Sequence, residues 1–208
     1  MIDAETKGVI NDLINKFVRM LSLNPLITKV NEILTQEYDK GLEVEEQKFN
    51  MNFTRDDERL RFLQKYTFDN IKDLNDDMAE KLRGELQRSI LNLESIPQMK
   101  ERVKKVMDVS EVRATAIART ESIRATNMGR IDGARQTGFK LVKWVNVHLD
   151  ARTSPICRRM QKKYGDRSKG IGIDAKFVDD ETGKSFDIPP FHVNCRTNVL
   201  YDTPIKET

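Results

Sequence analysis

The sequence predicts an α+β protein in which helical hairpins form the N-terminal two-thirds and a small α+β unit with short antiparallel strands follows. Up to Gly138, apolar residues recur every three or four positions, which is the period of an amphipathic helix. After Gly138 the apolar residues are β-branched or aromatic and occur in short runs, which is typical of strands. With 33% charged and 7% aromatic residues among 208, the composition fits a helix-rich protein with large solvated faces.

The first two predicted helices form a hairpin. Apolar residues at helical spacing predict one helix over Thr6 to Leu21, and Asn24-Pro25 stops it. A second helix is predicted from about Leu26 to Tyr38, with Gly41 closing it. The polar, acidic stretch from Glu43 to Asn52 is then a loop or weak helix, and we expect it to act as a hinge.

Two longer helical signals follow. Apolar residues keep helical spacing from Phe68 to Ile90, over more than six turns at about 3.6 residues per turn. Ser95-Ile96-Pro97-Gln98 resembles a capping box and predicts a short helix to about Met107. Another helix is predicted from about Ser110 to Thr137, stopped by Gly138. We therefore expect one region over residues 1–107 and a second over residues 108–208.

The C-terminal part changes character. The run from Lys140 to His148 predicts a strand, and Thr197 to Tyr201 predicts the last one. Phe177-Val178 and Ser185-Phe186 predict a hairpin around Asp180-Glu181-Thr182-Gly183. Ser154-Pro155 predicts an N-cap and first helical residue. The glycine-containing stretch from Gly165 to Gly172 lacks the order of a phosphate-binding P-loop, and we interpret it as a mobile basic loop.

Charge is distributed unevenly along the chain. Residues 1–100 carry 15 Lys or Arg against 19 Asp or Glu, a net of −4, whereas the whole chain has a net charge of +3. The C-terminal half is therefore basic, and a basic surface is what binds a polyanion such as double-stranded DNA. Seven cations lie within 18 residues beside the single acid Asp166, and we predict that they contact DNA: Arg152, Arg158, Arg159, Lys162, Lys163, Arg167 and Lys169.

A stripe of arginines marks the helix from Ser110 to Thr137. Arg113, Arg124 and Arg135 recur every 11 residues, close to three helical turns, so they share one face. One interpretation is that their aliphatic stems pack and their heads pair with acids such as Glu121 and Asp132. The alternative is that this face binds phosphate or an acidic protein partner.

The rarest residues cluster in the C-terminal part. The chain has two cysteines and two histidines, and all four lie in the last 61 residues: His148, Cys157, His192 and Cys195. Cys157 falls in the first turn of a predicted helix, where the unpaired N–H groups favour a thiolate. His192 and Cys195 lie on one short segment after two prolines. Zinc prefers such nitrogen and sulfur ligands, so we predict a zinc site with His148 or Asp150 as the fourth ligand.

Two other interpretations of the same residues stay open. In one, the thiols are buried packing residues that are occasionally oxidised, and the histidines are ordinary polar residues. In the other, the chain is a thiol or metal-dependent hydrolase or nuclease, with Cys157 as nucleophile, His192 as base and Asn194 or Asp187 orienting the imidazole.

Membrane insertion and export are not expected. The apolar stretches are only a few residues long, whereas a membrane-spanning helix needs about 18 or more. The N-terminal residues Met1-Ile2-Asp3-Ala4-Glu5 also lack the basic-then-apolar order of a secretory signal.

Five motifs in order resemble the phage Mu F-like minor head protein family. They cover about Arg113 to Tyr201, and the helices before them resemble the family's helical lead-in. The motifs are Ile117-Ala118-Arg119-Thr120-Glu121, Asn127-Met128-Gly129-Arg130, Lys143-Trp144, Asp150-Ala151-Arg152-Thr153-Ser154-Pro155-Ile156-Cys157 and Pro189-Pro190-Phe191-His192-Val193-Asn194-Cys195-Arg196.

The resemblance implies a non-enzymatic structural protein of a tailed bacteriophage or prophage. Such a protein acts in head morphogenesis and is incorporated in few copies inside the capsid near the portal, after assembly in the host cytoplasm. It also implies contact with packaged DNA, and metal binding at the Cys, His and Cys positions. The expected protein partners are the portal protein and the major capsid or scaffold proteins. The acidic helical region over residues 1–107 is the part that we expect to dock on them.

Overall fold

The computed structural model describes residues 23–92, 94 and 96–204. Three long helices come first: α1 (Leu23–Phe49), α2 (Asp57–Leu91) and α3 (Ile96–Gln136). The C-terminal part contains β1 (Val142–Asn146), α4 (Pro155–Tyr164), a 3-10 turn (Arg167–Lys169), β2 (Ile171–Gly172), β3 (Phe177–Val178), β4 (Ser185–Phe186) and β5 (Asn198–Asp202). The predicted α+β class is confirmed. The helix predicted over Thr6 to Leu21 and the capping residue Ser95 lie outside the described residues.

The described chain forms two compact units that do not follow sequence order. One contains residues 23–30 and 66–117, and its buried residues include Met78 and Leu82. The other contains residues 31–65 and 118–204, and it holds the sheets and α4. The boundary predicted between residues 107 and 108 falls inside α3.

Helix α1 is longer than predicted. It does not end near Tyr38 or at Gly41, and most of the stretch predicted as a loop or weak helix is helical, as far as Phe49. Gly41 lies where α1 crosses α3, and a Cβ atom there would be 2.2 Å from the carbonyl oxygen of Thr126. Glu45 is fully buried and pairs with Arg130 of α3. The acidic stretch is therefore held in a helix by tertiary contacts that its polarity does not indicate.

Helix α3 is a single helix where two were predicted. It runs without a break from Ile96 to Gln136, through the start expected at Asp108 to Glu111. No glycine or proline lies between Met99 and Met128, so the polar residues around the expected start are compatible with a helix interior. The predicted stop is confirmed, because Gly138 has a φ of 68° and its N–H donates to the carbonyl of Arg135.

Two small antiparallel sheets form the C-terminal part. In the larger one, β1 lies between β2 and β5, with Trp144 opposite Leu200 and Lys143 opposite Tyr201. The predicted hairpin is confirmed as β3 and β4. Behind these strands the buried residues of β1, β5 and α4 form one core that includes both cysteines.

The stretch expected to be a mobile basic loop is ordered. Arg167–Lys169 forms a 3-10 turn capped by Asp166, and Ile171 then pairs with Lys143 of β1. Two residues are too few to give an alternating strand pattern, which is why this strand could not be predicted. No helix among the described residues has the length and hydropathy needed to cross a membrane.

Candidate metal centre

The start of α4 positions the first ligand. Ser154 is the N-cap, Pro155 is the first helical residue, and the Ser154 hydroxyl accepts a hydrogen bond from the Cys157 N–H. Cys157 is 3% exposed, so its side chain points from this first turn into the core. The sequence-predicted cap and helix start are both confirmed.

The segment from Pro189 to Thr197 supplies the other two ligands, and α3 holds it in place. The buried side chain of Asn127 donates to the carbonyls of Pro189 and Thr197, and it accepts from the N–H of Val199. About two turns earlier in α3, the Thr120 hydroxyl accepts a hydrogen bond from the N–H of Asn194. These bonds place His192 and Cys195 over the start of α4.

Three side chains converge there: Cys157, His192 and Cys195. Their ligand atoms all lie within 4.8 Å of one another, and no other such group of His, Cys or acidic residues occurs in the described part of the chain. The two Sγ atoms are 3.7 Å apart. Two sulfurs bound to one tetrahedral zinc at about 2.3 Å would be about 3.8 Å apart, so the spacing of the thiols fits a metal ion.

The imidazole of His192 is oriented for metal binding. Its Nδ1–H donates to the carbonyl of Val193 at 2.6 Å, which directs Nε2 toward the thiols and places it 3.1 Å from Cys157 Sγ. In the neutral ring, Nε2 therefore carries the lone pair. Metal-binding histidines commonly donate their other ring N–H to a carbonyl in this way.

The two thiols influence each other's pKa in opposite directions. The pKa of Cys195 is lowered, because the Cys157 thiol, His192 and Thr197 bond to its sulfur. The pKa of Cys157 is raised, because its bond to Cys195 and its burial both oppose a second negative charge. The pair therefore carries one thiolate more readily than two. The hydrogen bond with Cys195 also raises the pKa of His192.

Neither predicted fourth ligand belongs to the group. Asp150 accepts two hydrogen bonds from Arg196, at 2.7 and 2.8 Å, and this pairing lowers its pKa. The His148 side chain is 68% exposed, and its Nε2 lies 3.8 Å from Asp150 rather than at the thiols. The turn after β1 therefore uses Asp150 as the partner of an arginine.

A small cavity adjoins the group. Its volume is about 20 Å³, and Ser154, Cys157, His192 and Thr197 line it together with residues of the turn after β1. A volume above about 10–15 Å³ accommodates one water-sized ligand. Cys195 is not among the residues that line this cavity.

Thr197 was not predicted as a site residue. It is fully buried, and its Oγ1 lies 3.4 Å from Cys157 Sγ. A signal for it exists in the sequence, because side chains two apart in an extended segment point to the same side, and Thr197 follows Cys195 by two. Ser154 was predicted only as a helix cap, yet its Oγ lies 2.7 Å from His192 Nε2.

The group that orients the His192 imidazole differs from the one expected in the hydrolase interpretation. The carbonyl of Val193, rather than Asn194 or Asp187, holds the imidazole. Asn194 is exposed, with a φ of 61°, and the carboxylate of Asp187 is 4.0 Å from Lys176. A nucleophilic thiol needs access and a lowered pKa, and Cys157 has neither.

The seven predicted DNA-contacting cations divide into two groups. Four form ion pairs: Arg159 with Asp179 and Glu181, Lys163 with Asp180, Arg167 with Asp202, and Arg152 with Asp150. The other three, Arg158, Lys162 and Lys169, form no ion pair with any described residue. Arg158 and Lys162 are one helical turn apart on α4, and Lys169 Nζ reaches the carbonyl of Lys162.

The three arginines of the predicted stripe are all ion-paired. Arg113 pairs with Asp77, Arg124 with Glu121, and Arg135 with Asp174. Glu121 was named as such a partner. Asp132 instead accepts a hydrogen bond from the Tyr38 hydroxyl and pairs with Arg59. These contacts favour the interpretation in which the arginine heads pair within the chain.

Comparison with known proteins identifies a family. A family model described as phage Mu protein F-like protein matches residues 80–200, which is more than half of the chain. The matched range includes the whole of α3 and the whole candidate metal centre. No curated protein and no solved structure matches the chain.

Proposed function

The chain belongs to the phage Mu protein F-like family, and on that premise we propose that it is a minor head protein of a tailed bacteriophage or prophage. The family is one of phage head morphogenesis proteins of the virion, and it is structural. The match over residues 80–200 is the observation that carries the proposal. In the proposed function, the protein assembles in the host cytoplasm and resides inside the capsid beside the portal, without enzymatic activity.

The proposed docking surface for the portal, major capsid or scaffold protein lies on α3. Val109 is 54% exposed and Val112 is 69% exposed. Together with Arg113, at spacings of three and four residues, they share one face of the helix. Apolar residues beside a charged one are typical of protein interfaces. Arg124 and Arg135 would join such a contact only by exchanging their present acidic partners.

Of the seven cations predicted to contact DNA, we retain those that form no ion pair with any described residue. Arg159, Lys163 and Arg167 already face acids, so they contribute little to the field at a phosphate backbone. Arg158, Lys162 and Lys169 form the DNA stripe that we propose, with the highly exposed Arg152 near the same helix start. Such contacts bind phosphate without reading base sequence.

The proposed cofactor is one zinc ion held by Cys157, His192 and Cys195. Bound there, it would supply a structural cross-link. The chain residues it would join are the start of α4 and the segment after the two prolines, which are 35 to 38 residues apart. Closing a loop of that length costs entropy that metal binding offsets, because ligand binding to the folded state is coupled to folding.

Metal removal tests this centre. Full-length protein purified with reductant and without chelator is expected to contain one zinc per chain, and a strong chelator is expected to lower its melting temperature. Cys195→Ser should lower the melting temperature without chelator and remove the chelator effect. Metal-free protein with an unchanged melt would contradict the proposed site.

Disruption of the gene in the phage tests the function. The expected result is that DNA-filled heads are lost or reduced while the major capsid protein is still made. A wild-type copy should restore heads, and Val112→Glu should restore them poorly if α3 docks on a partner. The hydrolase alternative is separable, because Cys157→Ser removes turnover from a thiol enzyme but lowers stability in a structural site. Normal yields of filled heads without the protein would contradict the proposal.

A further inference from the structure

The candidate metal centre provides three ligands, so one corner of a tetrahedral ion bound there would have no protein ligand. We call this coordination position the open corner. Cys195 does not line the adjoining cavity of about 20 Å³, whereas Cys157 and His192 both border it. A tetrahedral ion needs four ligands. We propose that the fourth coordination position faces this cavity and is left to solvent, so that the metal is held in an open and exchangeable site. This inference rests on the proposed metal centre.

The hydroxyl groups on the cavity wall do not fill the fourth position. Ser154 Oγ caps α4 by accepting from the Cys157 N–H, and it also bonds to His192 Nε2. Thr197 Oγ1 lies 3.4 Å from Cys157 Sγ and bonds to Cys195 as well. Neutral hydroxyls are not among the usual protein ligands of zinc, and a hydroxyl beside a thiolate acts as its hydrogen-bond donor.

The remaining candidate on the cavity wall is His148. Its ring faces solvent, with 68% of the side chain exposed, and its Nε2 is nearest to the carboxylate of Asp150. Reaching the metal would require the ring to turn away from Asp150. The structure therefore leaves the corner to a ligand of one water's size.

The position of Thr197 provides a way to close the site. Its side chain is fully buried, points to the same side as Cys195, and reaches the sulfur of Cys157. Cysteine is close to threonine in size, so Thr197→Cys places a third sulfur at the open corner without enlarging the side chain. A site with three thiolates and one imidazole is the closed type that holds structural zinc.

The test loads full-length protein with Co²⁺ under reducing conditions and measures two quantities per bound ion. These are the near-ultraviolet thiolate-to-cobalt absorbance and the rate of cobalt loss to excess chelator. In Thr197→Cys the absorbance should rise about 1.5-fold over wild type, in proportion to three thiolates instead of two, and cobalt loss should be at least about tenfold slower. His148→Ala is the matched control and should leave the absorbance at the wild-type value and the rate of cobalt loss within about twofold of wild type.

Three results would overturn the inference. Equal absorbance in wild type and Thr197→Cys would mean that position 197 does not border the open corner. Cobalt loss that is at least about tenfold faster in His148→Ala would assign the fourth position to that histidine. Wild-type protein that binds no cobalt would overturn the proposed metal centre itself, and this inference with it.

Discussion

At the scale of single residues, Lys143 stands out as a buried cation outside the candidate metal centre. It is 1% exposed, and its Nζ donates to the carbonyl of Asp187 at 2.7 Å. Nζ also lies 5.2 Å from the ring centre of Phe177. Burial lowers the pKa of Lys143 to about 8, because the charged form loses solvation in the core.

This lowered pKa predicts a pH dependence of stability. In the unfolded chain the lysine titrates near 10.4, so between about pH 8 and pH 10.4 the unfolded state binds more protons than the folded state. The free energy of unfolding should therefore rise with pH in this window, by at most about 1.4 kcal/mol per pH unit from this group. Denaturant unfolding of wild type and Lys143→Met across the window isolates the effect. Identical slopes in the two proteins would contradict it.

The buried ion pair between Glu45 and Arg130 also belongs to this scale. The Glu45 side chain is 0% exposed and that of Arg130 is 10% exposed, with 2.7 Å between Arg130 Nη2 and Glu45 Oε1. Glu45 Oε2 and the hydroxyl of Tyr201 have no hydrogen-bond partner among the described residues. Arg130→Met should destabilise the protein by about 3–5 kcal/mol, because it leaves a buried carboxylate unpaired. A loss below about 1 kcal/mol in denaturant unfolding would contradict the buried pairing.

At the scale of elements, the crossing of α1 and α3 depends on two glycines. A Cβ atom on Gly129 would lie 1.9 Å from the carbonyl oxygen of Tyr38, and the reciprocal contact exists at Gly41. Such a distance requires one helix to move. The crossing therefore tolerates glycine and nothing larger.

A matched pair of alanine substitutions tests this crossing. Gly129→Ala should lower the free energy of unfolding by about 3 kcal/mol through overpacking. Gly84→Ala is the control, because a Cβ on this helical glycine would meet no described atom within 4 Å. It should stabilise the protein by about 0.5–1 kcal/mol through helix propensity. If the two variants melt alike, the close crossing is wrong.

The elements also indicate what sequence patterns can and cannot predict. Periodicity and caps predicted α2 from Phe68 onward, the start of α4, the stop at Gly138 and the β3–β4 hairpin, since these depend on local preferences. The extension of α1 through Glu45 depends on Arg130, 85 residues away, and no local pattern contains that partner. The strand β2 could not be predicted for the same reason, because its two residues are ordered by pairing with β1, which is distant in sequence.

At the scale of the whole molecule, the scarcity of cysteine and histidine singled out Cys157, His192 and Cys195, which the fold brings together. Charge patterning did not show which cations form ion pairs. Asp179 and Asp180 follow Arg159 and Lys163 by 20 and 17 residues, and only the fold places them together. Asp150 was predicted as a fourth zinc ligand, but its carboxylate pairs with Arg196. That partner is 46 residues away, so no local pattern indicates the pairing.

The remaining DNA stripe gives a prediction about salt dependence. Replacing Arg158, Lys162 and Lys169 with glutamine should weaken binding to all duplex sequences alike. It should also reduce the log–log salt slope by up to about 2.7, at about 0.9 per phosphate contact. The matched control replaces Lys140, Lys176 and Lys184, three exposed lysines outside the stripe, and should change the slope much less. An equal effect of the two triple variants on the slope would contradict a localised DNA contact.

The proposed function is tested most directly by the amount of this protein in purified DNA-filled heads. Quantitative mass spectrometry determines this amount against the major capsid protein. A minor head protein beside the portal is expected to be present in every preparation of heads at a small, constant ratio to the portal protein. It should also remain protected from added protease until the heads are opened. Heads that contain none of the protein, or that lose all of it to protease while still closed, would contradict the account.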